Sequence, residues 1–257
     1  MSRIAAMWRL APWLHATLLA GVVALVFLAL APPAGAQQIN VDLGEDGTLT
    51  GRLFQLVALV TVITLAPSLL ITVTSFTRIV IVLSLLRSAI GVQQTPPNTV
   101  IIGLALFLTA FVMQPTFQQV YDDGLKPLIA NEITEIQAFD RSVVPIHAFM
   151  LKTVRPQDLQ LFMNLARIDA PATAAEMPLR ALVPAFLISE LNRAFEIGFL
   201  IFVPFIVIDM VVASVLMSMG MMMLPPIMIS LPFKLIFFVL VDGWHLIASS
   251  LVQSFGT

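Results

Sequence analysis

The sequence predicts an all-α membrane protein built from two long, broken helical hairpins, with a small, mainly helical extracytoplasmic domain inserted between them. Hydrophobic residues make up 59% of the 257 residues and charged residues only 11%, whereas an ordinary soluble domain has roughly 25% charged residues. The apolar residues are gathered in four runs that approach or exceed the length of a membrane span. Glycine and proline interrupt these runs, which predicts the hairpin turns.

The remaining composition excludes several classes of function. The formal net charge of -2 gives no basic face of the kind that nucleic-acid-binding proteins carry, so no nucleic-acid partner is expected. The chain has no cysteine, which excludes disulfides, thiolate metal sites and cysteine nucleophiles. It also lacks the glycine-rich phosphate loops, the G-x-S-x-G elbow and the H-E-x-x-H helix. We therefore expect no enzyme activity, no cofactor and no metal site.

Residues 1–36 have the three parts of a cleavable secretory signal peptide. Arg3 and Arg9 precede a long apolar run, and Ala34-Gly35-Ala36 fits the small-residue cleavage site. Cleavage would begin the mature chain at Gln37 and leave this new N-terminus outside the cytoplasm. An uncleaved signal anchor is the alternative, since the apolar run approaches spanning length.

A polar leader, residues 37–52, precedes the first predicted hairpin, residues 53–114. The first apolar run of this hairpin extends to Ile90, which is too long for one straight span of about 20 residues. Pro67 predicts a kink or break within it. The second run is expected to end before Pro115.

The second part of the first run carries a polar face. At about 100° per residue, four hydroxyl residues and one arginine fall within an arc of about 120°. These residues are Thr74, Thr77, Arg78, Ser84 and Ser88, and Arg87 lies beside them. Such a face predicts a subunit interface or a pore lining. Alternatively, the arginines reach the lipid headgroups and the hydroxyls bond back to their own helix.

Residues 115–180 have the charge content of a soluble protein surface, which predicts a small, mainly helical domain. Acidic residues slightly outnumber basic ones in this segment, so it lacks the excess of lysine and arginine that marks cytoplasmic loops. Together with a cleaved signal and one preceding hairpin, this charge balance predicts a periplasmic domain.

Residues 181–257 form the second predicted hairpin. Its first apolar run, to Met219, carries Glu190, Arg193 and Glu196 at successive i, i+3 positions. This spacing suits neighbouring ion pairs on one helix face.

Asp242 and His245 lie one helical turn apart in the last apolar run. The spacing is compatible with a proton relay. No third polar group or metal-ligand partner accompanies them, so a polar contact at an interface is the better interpretation.

A methionine cluster occupies the predicted tip of the second hairpin. Seven of the thirteen methionines lie between Met210 and Met228. Unbranched thioethers repack around different neighbours without fixed hydrogen bonds, which suits a deformable seal; a methionine-rich, lipid-facing loop is the alternative. The tip comprises Met217, Met219, Gly220, Met221, Met222, Met223, Pro225 and Pro226.

The two hairpins share a turn signature. Gly91 precedes Pro96-Pro97 by five residues, and Gly220 precedes Pro225-Pro226 by the same interval. Glycine suits the end of a helix and proline the first turn of the next. The pattern indicates an internal repeat, or a coincidence between loops that draw on the same few residues.

One acidic and one basic residue lie at matching distances from the tip. Asp209 is 13 residues before Met222 and Lys234 is 12 residues after it, so antiparallel helices would place both roughly 18–20 Å from the tip. An isolated charge is costly at such a depth in a membrane. We therefore predict that the two side chains are paired, within one subunit or across a subunit interface.

Several segments carry a resemblance to a known family over almost the whole mature chain. They are Thr74-Ser75-Phe76-Thr77-Arg78-Ile79, Leu86-Arg87, Pro96-Pro97-Asn98, Gly103 to Thr109, Phe202-Val203-Pro204-Phe205, Asp209, Met217 to Pro226, Leu231-Pro232-Phe233-Lys234 and Val241-Asp242-Gly243-Trp244. On these residues the chain resembles the FliP/SctR export-gate family of type III secretion. The cleavable signal favours the flagellar branch of that family.

The resemblance implies a multi-pass protein of the bacterial inner membrane at the flagellar basal body. Copies of the chain would form a homo-oligomer with FliQ- and FliR-like membrane subunits and surround a pore for exported unfolded flagellar proteins. Other export-apparatus and basal-body proteins and membrane lipid would be further partners. Family members lie partly above the bilayer, so four apolar runs need not be four spans.

The resemblance also implies roles for residues of this chain. Met221, Met222 and Met223 would close the pore. The residue patterns described above, rather than the resemblance, predict structural or interface roles for Arg78, Arg87, Glu190, Arg193, Asp209, Lys234 and Asp242.

Two other functions stay open at the level of sequence. One is a small-solute secondary transporter, suggested by the possible repeat and the broken helices. The other is a membrane scaffold without a conduit. A transporter should bring polar groups together inside one subunit, whereas a gate should place them between subunits.

Overall fold

A computed structural model describes residues 49–92, 95–168, 173–221 and 223–256. The predicted signal peptide, residues 37–48 of the predicted leader, and Met222 lie outside the described residues. The described part consists of helices and contains no strand, in agreement with the predicted all-α class. The α-helices are α1 (Leu49–Thr72), α2 (Phe76–Ile90), α3 (Asn98–Val120), α4 (Lys126–Ile129), α5 (Glu135–Thr153), α6 (Pro156–Leu165), α7 (Leu179–Ser218), α8 (Pro226–Leu240) and α9 (Gly243–Gln253).

The chain divides into two compact units, Met1–Leu59 and Val60–Thr257. In the first unit the structure describes only the beginning of α1, whose apolar side chains, such as those of Leu53 and Phe54, are exposed. The packing described below belongs to the second unit.

The first apolar run is broken, as predicted, but the break is not at Pro67. Helix α1 continues through Pro67 to Thr72, and α2 begins at Phe76. One proline removes a single helical hydrogen bond, which a long apolar helix tolerates. At the true break, Thr74 Oγ1 donates to Ile71 O at 3.3 Å and accepts from the Phe76 N–H at 3.4 Å. Its hydroxyl therefore competes with the helical backbone bonds, which favours a break.

Helix α2 lies at the centre of the second unit and packs against α3, α7 and α8. Its side chains are buried on more than one face, which explains its almost uninterrupted apolar sequence. The core around it is formed by Phe76, Ile79, Val82, Leu83, Ile101, Ala105, Val112, Ala194, Leu251 and Phe255.

Helix α3 does not end before Pro115, as the sequence led us to expect, but continues through it to Val120. A π-helical turn, Tyr121–Leu125, then connects it to α4. Gly124 lies in this turn because a Cβ there would come within 2.1 Å of Ser142 Oγ on α5. Helix α5 therefore packs closely against the π-helical turn that follows α3.

The polar segment, residues 115–180, is helical in its described part, as predicted, but its helices share a core with the long apolar helix α7. Met150 and Val154 of the α5 region pack with Leu182 and Phe186 of α7. Helix α5 begins with a capping box in which Thr134 and its third following residue bond reciprocally, the usual signal for a helix start. One face of the first half of α7 is thus covered by the polar segment.

Helix α7 has 40 residues and is about 60 Å long, about twice the roughly 30 Å hydrocarbon thickness of a bilayer. Its first half carries Glu190, Arg193 and Glu196, whereas Asp209 is the one charge after Gly198. By length and composition, the second half is therefore the part of α7 suited to the hydrocarbon core of a membrane.

Two helical stretches in the described residues are long and apolar enough to cross a membrane: Asn98–Ile129 and α7. A third candidate results if α8 and α9, which meet at a bend of 63°, are counted as one broken span. The described residues thus provide two or three candidate spans rather than the four suggested by the apolar runs.

Candidate functional site

The tip of the second hairpin is a short exposed loop between α7 and α8. The Gly220 N–H donates to Met217 O at 3.1 Å and the Met221 N–H donates to Leu216 O at 3.0 Å. These two bonds satisfy carbonyls that the helix end would otherwise leave free. Gly220 has a φ of +74°, a left-handed conformation that glycine adopts without Cβ strain.

The same device ends α2 in the first hairpin. Gly91 has a φ of +90° and its N–H donates to Ser88 O at 3.1 Å. Helix α3 then starts directly after Pro97, and α8 starts at Pro226. Both turns therefore have glycine at the end of one helix and proline at the start of the next, and the internal repeat stays a prediction.

The described methionine side chains of the tip are exposed. Met217, Met219, Met221 and Met223 are all exposed, and Met223 exposes 99% of its surface. Met222 lies outside the described residues. The loop therefore offers flexible apolar groups to another molecule or another copy of the chain.

Asp209 and Lys234 are paired within one subunit. Lys234 Nζ donates to Asp209 Oδ2 at 2.7 Å and to Ala89 O at 3.2 Å, while Ser230 Oγ donates to Asp209 Oδ1. The lysine side chain is 4% exposed and that of Asp209 36%. Ala89 lies in the last turn of α2, where carbonyls lack helical partners. Lys234 thereby connects the second hairpin to the first.

Arg78 and Glu190 form a second ion pair, and both side chains are fully buried. Arg78 Nε donates to Glu190 Oε2 at 2.9 Å and Nη2 donates to Oε1, which is the bidentate geometry of a strong charge-assisted contact. Nη1 donates to Ser254 O at 3.1 Å and to Ser254 Oγ at 2.9 Å. The guanidinium also lies 3.7 Å from the centroid of the Phe255 ring. Arg78 thus holds α2, α7 and the C-terminal segment together.

These contacts place Arg78 of the polar arc inside the protein, and the other members of the arc bond to nearby backbone. The hydroxyls of the arc donate to carbonyls of their own run: Thr77 Oγ1 to Ile71 O at 3.4 Å, Ser84 Oγ to Val80 O at 2.7 Å, and Ser88 Oγ to Ser84 O at 3.0 Å. Arg78 faces the protein interior instead of lipid or a pore. The hydroxyls therefore form the local bonds of the alternative interpretation, and a subunit interface on this face stays a prediction.

The expected ion pairs along α7 are also corrected. Glu190 pairs with Arg78, and Glu196 Oε1 lies 3.4 Å from Arg155 Nη1. Arg193 forms no ion pair within the described residues. A local i, i+3 pair stabilises a helix by only about 0.2–0.5 kcal/mol, so a buried bidentate partner prevails over it.

Arg87 and Asp242 lie at turns. Arg87 Nη1 donates to Asn98 Oδ1 at 2.6 Å, across the turn of the first hairpin. Asp242 is exposed, with a φ of +50°, at the bend between α8 and α9. Its side chain forms no hydrogen bond or ion pair with His245 in the described part of the chain. The structure therefore gives no geometry for a proton relay there.

Sequence reasoning missed a polar junction between α6 and α7. Arg155 Nε donates to Asp158 Oδ2 at 2.8 Å, and Ser189 Oγ donates to the same oxygen at 2.7 Å. The hydrogen bond from Arg155 is the main cause that lowers the pKa of Asp158, against the opposing effect of burial. The spacing of Arg155-Pro156-Gln157-Asp158 at a helix start was the available signal.

The described residues are those of an all-helical membrane protein whose two hairpins are connected by ion pairs and whose second hairpin ends in an exposed methionine tip. The model of the FliP family matches residues 59–251 of the chain. The flagellar biosynthetic protein FliP of Caulobacter vibrioides is 61% identical over 91% of the chain and 89% of that relative. The same-named protein of Bacillus subtilis is 55% identical, with 84% and 98% coverage, and that of Rhizobium meliloti 48%, with 90% and 96%. The chain belongs to the FliP family, which confirms the resemblance found in its sequence.

Proposed function

We propose that the chain is a subunit of the flagellar protein-export gate in the bacterial inner membrane. Copies of it, with FliQ- and FliR-like membrane subunits, surround a path for unfolded flagellar proteins, and the methionine tips close that path. Membership of the FliP family makes the chain a component of flagellum biogenesis and protein export in the membrane. The observation that supports the closing role is the exposed methionine tip.

The physics of the tip suits a closure that must admit many different polypeptides. Its side chains are apolar, so tips that meet exclude water. Each methionine that becomes buried stabilises the closed state by roughly 1.5–3 kcal/mol. Unbranched thioethers also adapt to any passing side chain. The Gly220 turn and the Asp209–Lys234 pair hold the loop at the end of a braced hairpin. Such a seal requires a rigid hairpin that carries a deformable loop at its end.

The length of α7 supports an assembly that lies partly above the bilayer. A helix of about 60 Å exceeds the hydrocarbon core by about half its length, and its first half packs against the polar segment. We place that half and residues 115–180 on the periplasmic side.

A transporter would bring polar groups together inside one subunit, and the ion pairs Arg78–Glu190 and Asp209–Lys234 do lie inside one subunit. Their polar atoms, however, are bonded to each other and to neighbouring protein groups, which leaves little for a solute to bind. The groove between α7 and α8, of about 560 Å³, has apolar walls that include Val211, Val215, Phe233 and Ile236. It offers no polar site for a small solute, so the gate is the favoured function.

The gate is tested by comparing Met221→Ala/Met223→Ala with Met221→Leu/Met223→Leu in the assembled protein. The alanine variant should raise ion leakage across the membrane and the leucine variant much less, because leucine retains apolar volume. Flagellar protein secretion is measured in the same cells to show that each variant assembles. A scaffold without a conduit would show the same low leakage in both variants.

A further inference from the structure

Oxidisable groups are concentrated at the methionine tip. Every exposed methionine in the described part of the chain lies between Met210 and Met228, whereas Met113 and Met150 are buried to 0% and 1% exposure. At the tip itself, Met219 exposes 57% of its surface and Met223 nearly all of it. Whenever the tips are not packed against one another, a solution oxidant therefore reaches them before the methionines of the core, because susceptibility follows exposure.

We propose that the tip is a reversible oxidation site, at which a peroxide converts Met219, Met221 or Met223 to the sulfoxide and thereby opens the closed path. This inference rests on the proposed gate function. A lone pair on the thioether sulfur attacks one peroxide oxygen, an S–O bond forms and the O–O bond breaks. With hydrogen peroxide, proton transfer then releases water. The sulfur is oxidised by two electrons and the peroxide is reduced by two.

The local hydrogen bonding explains why one added oxygen disturbs the seal. A sulfoxide oxygen is a strong acceptor, and an unsatisfied polar group is costly in an apolar contact. The backbone N–H groups of Met219, Gly220, Met221 and Leu224 already donate to carbonyls. Two further tip residues, Pro225 and Pro226, have no N–H to offer. Water is therefore the main available donor, and its entry hydrates the seal.

The modification is reversible by chemistry that cells possess. Methionine sulfoxide reductases restore the thioether, one enzyme type for each sulfoxide epimer. Because the tip is an exposed loop, its sulfoxides are accessible to such enzymes whenever the path is open. Oxidation and repair would then adjust the tightness of the gate without any change in the rest of the fold.

The test uses vesicles that contain the assembled full chain, treated with hydrogen peroxide and then with both classes of reductase. Mass spectrometry should find oxygen on tip peptides before it appears on the peptide of Met113. Ion leakage should rise about tenfold, equivalent to about 1.4 kcal/mol of lost closed-state stability, and the reductases should reverse it. The variant Met219→Leu/Met221→Leu/Met222→Leu/Met223→Leu should show no peroxide-dependent rise. Met210→Leu, which removes an exposed methionine outside the tip, should still show it.

An oxidised tip with unchanged leakage, or a rise that persists in the fourfold leucine variant, would overturn the inference. The alanine experiment keeps this failure separate from that of the gate itself. If alanine at the tip causes leakage while peroxide does not, only the oxidation site is wrong. If neither causes leakage, the closing role of the tip is wrong and the oxidation inference falls with it.

Discussion

The buried contact between Arg78 and Glu190 gives the sharpest prediction for stability. Both side chains are fully buried and bonded in bidentate geometry, so Glu190→Gln leaves an arginine charge without its counter-charge. Breaking such a pair costs about 3–5 kcal/mol, a large part of the roughly 5–15 kcal/mol that stabilises a typical protein. We expect a markedly lower thermal unfolding midpoint in detergent and less protein in the membrane.

Two further variants make this prediction specific. Arg78→Met/Glu190→Gln removes both charges and should recover much of the loss, because no uncompensated charge remains. Glu196→Gln breaks the contact with Arg155 at a side chain that is 66% exposed, and should cost no more than about 1 kcal/mol. If Glu190→Gln matches Glu196→Gln, or if the double variant is as unstable as the sum of the singles, the reasoning is refuted.

Three other changes have clear expected outcomes. Asp209→Asn should destabilise more than Lys234→Met in detergent unfolding, because it leaves the nearly buried ammonium unpaired, whereas Asp209 is partly exposed to water; the reverse order would contradict the pairing argument. Gly220→Ala should cost about 1–2 kcal/mol of unfolding free energy through its left-handed φ, and an unchanged midpoint would contradict it. The pKa of Asp158 is lower in the folded protein than its ordinary value of 3.8, so the ionised carboxylate stabilises the fold at any pH above that value. This stabilisation is lost as the pH falls through the lower folded pKa. Asp158→Asn should therefore flatten the loss of stability in acid, and an equally steep loss in both proteins would count against the contact with Arg155.

The sequence predicted the Asp209–Lys234 contact because antiparallel packing of one hairpin fixes which residues share a depth. It could not identify the partner of Glu190, since Arg78 lies 112 residues away and belongs to the other hairpin. Local spacing instead suggested Arg193. Contacts within a hairpin follow from counting residues, whereas contacts between hairpins depend on a packing arrangement that counting does not determine.

The break in the first run shows a similar limit. Pro67 was the stronger local signal, yet α1 passes through it. The break follows Thr72, and the hydroxyl of Thr74 bonds to backbone groups on both sides of it. The methionine tip, by contrast, was visible from composition and from the glycine and proline that flank it, because a turn is specified by the residues that form it.

The central claim, that the tips of neighbouring copies meet and close a path, can be tested directly with single cysteines, since the chain has none of its own. Under mild oxidation in the membrane, Met221→Cys or Met223→Cys should form disulfide-linked dimers, because only cysteines whose Cα atoms lie within about 7 Å can be bridged. Leu240→Cys, which is 80% exposed and lies at the far end of α8, serves as the control. Cross-linking at the tip that blocks secretion, and secretion restored by a reductant, is the result we predict. Cross-linking at residue 240 with none at residues 221 and 223 would contradict the account.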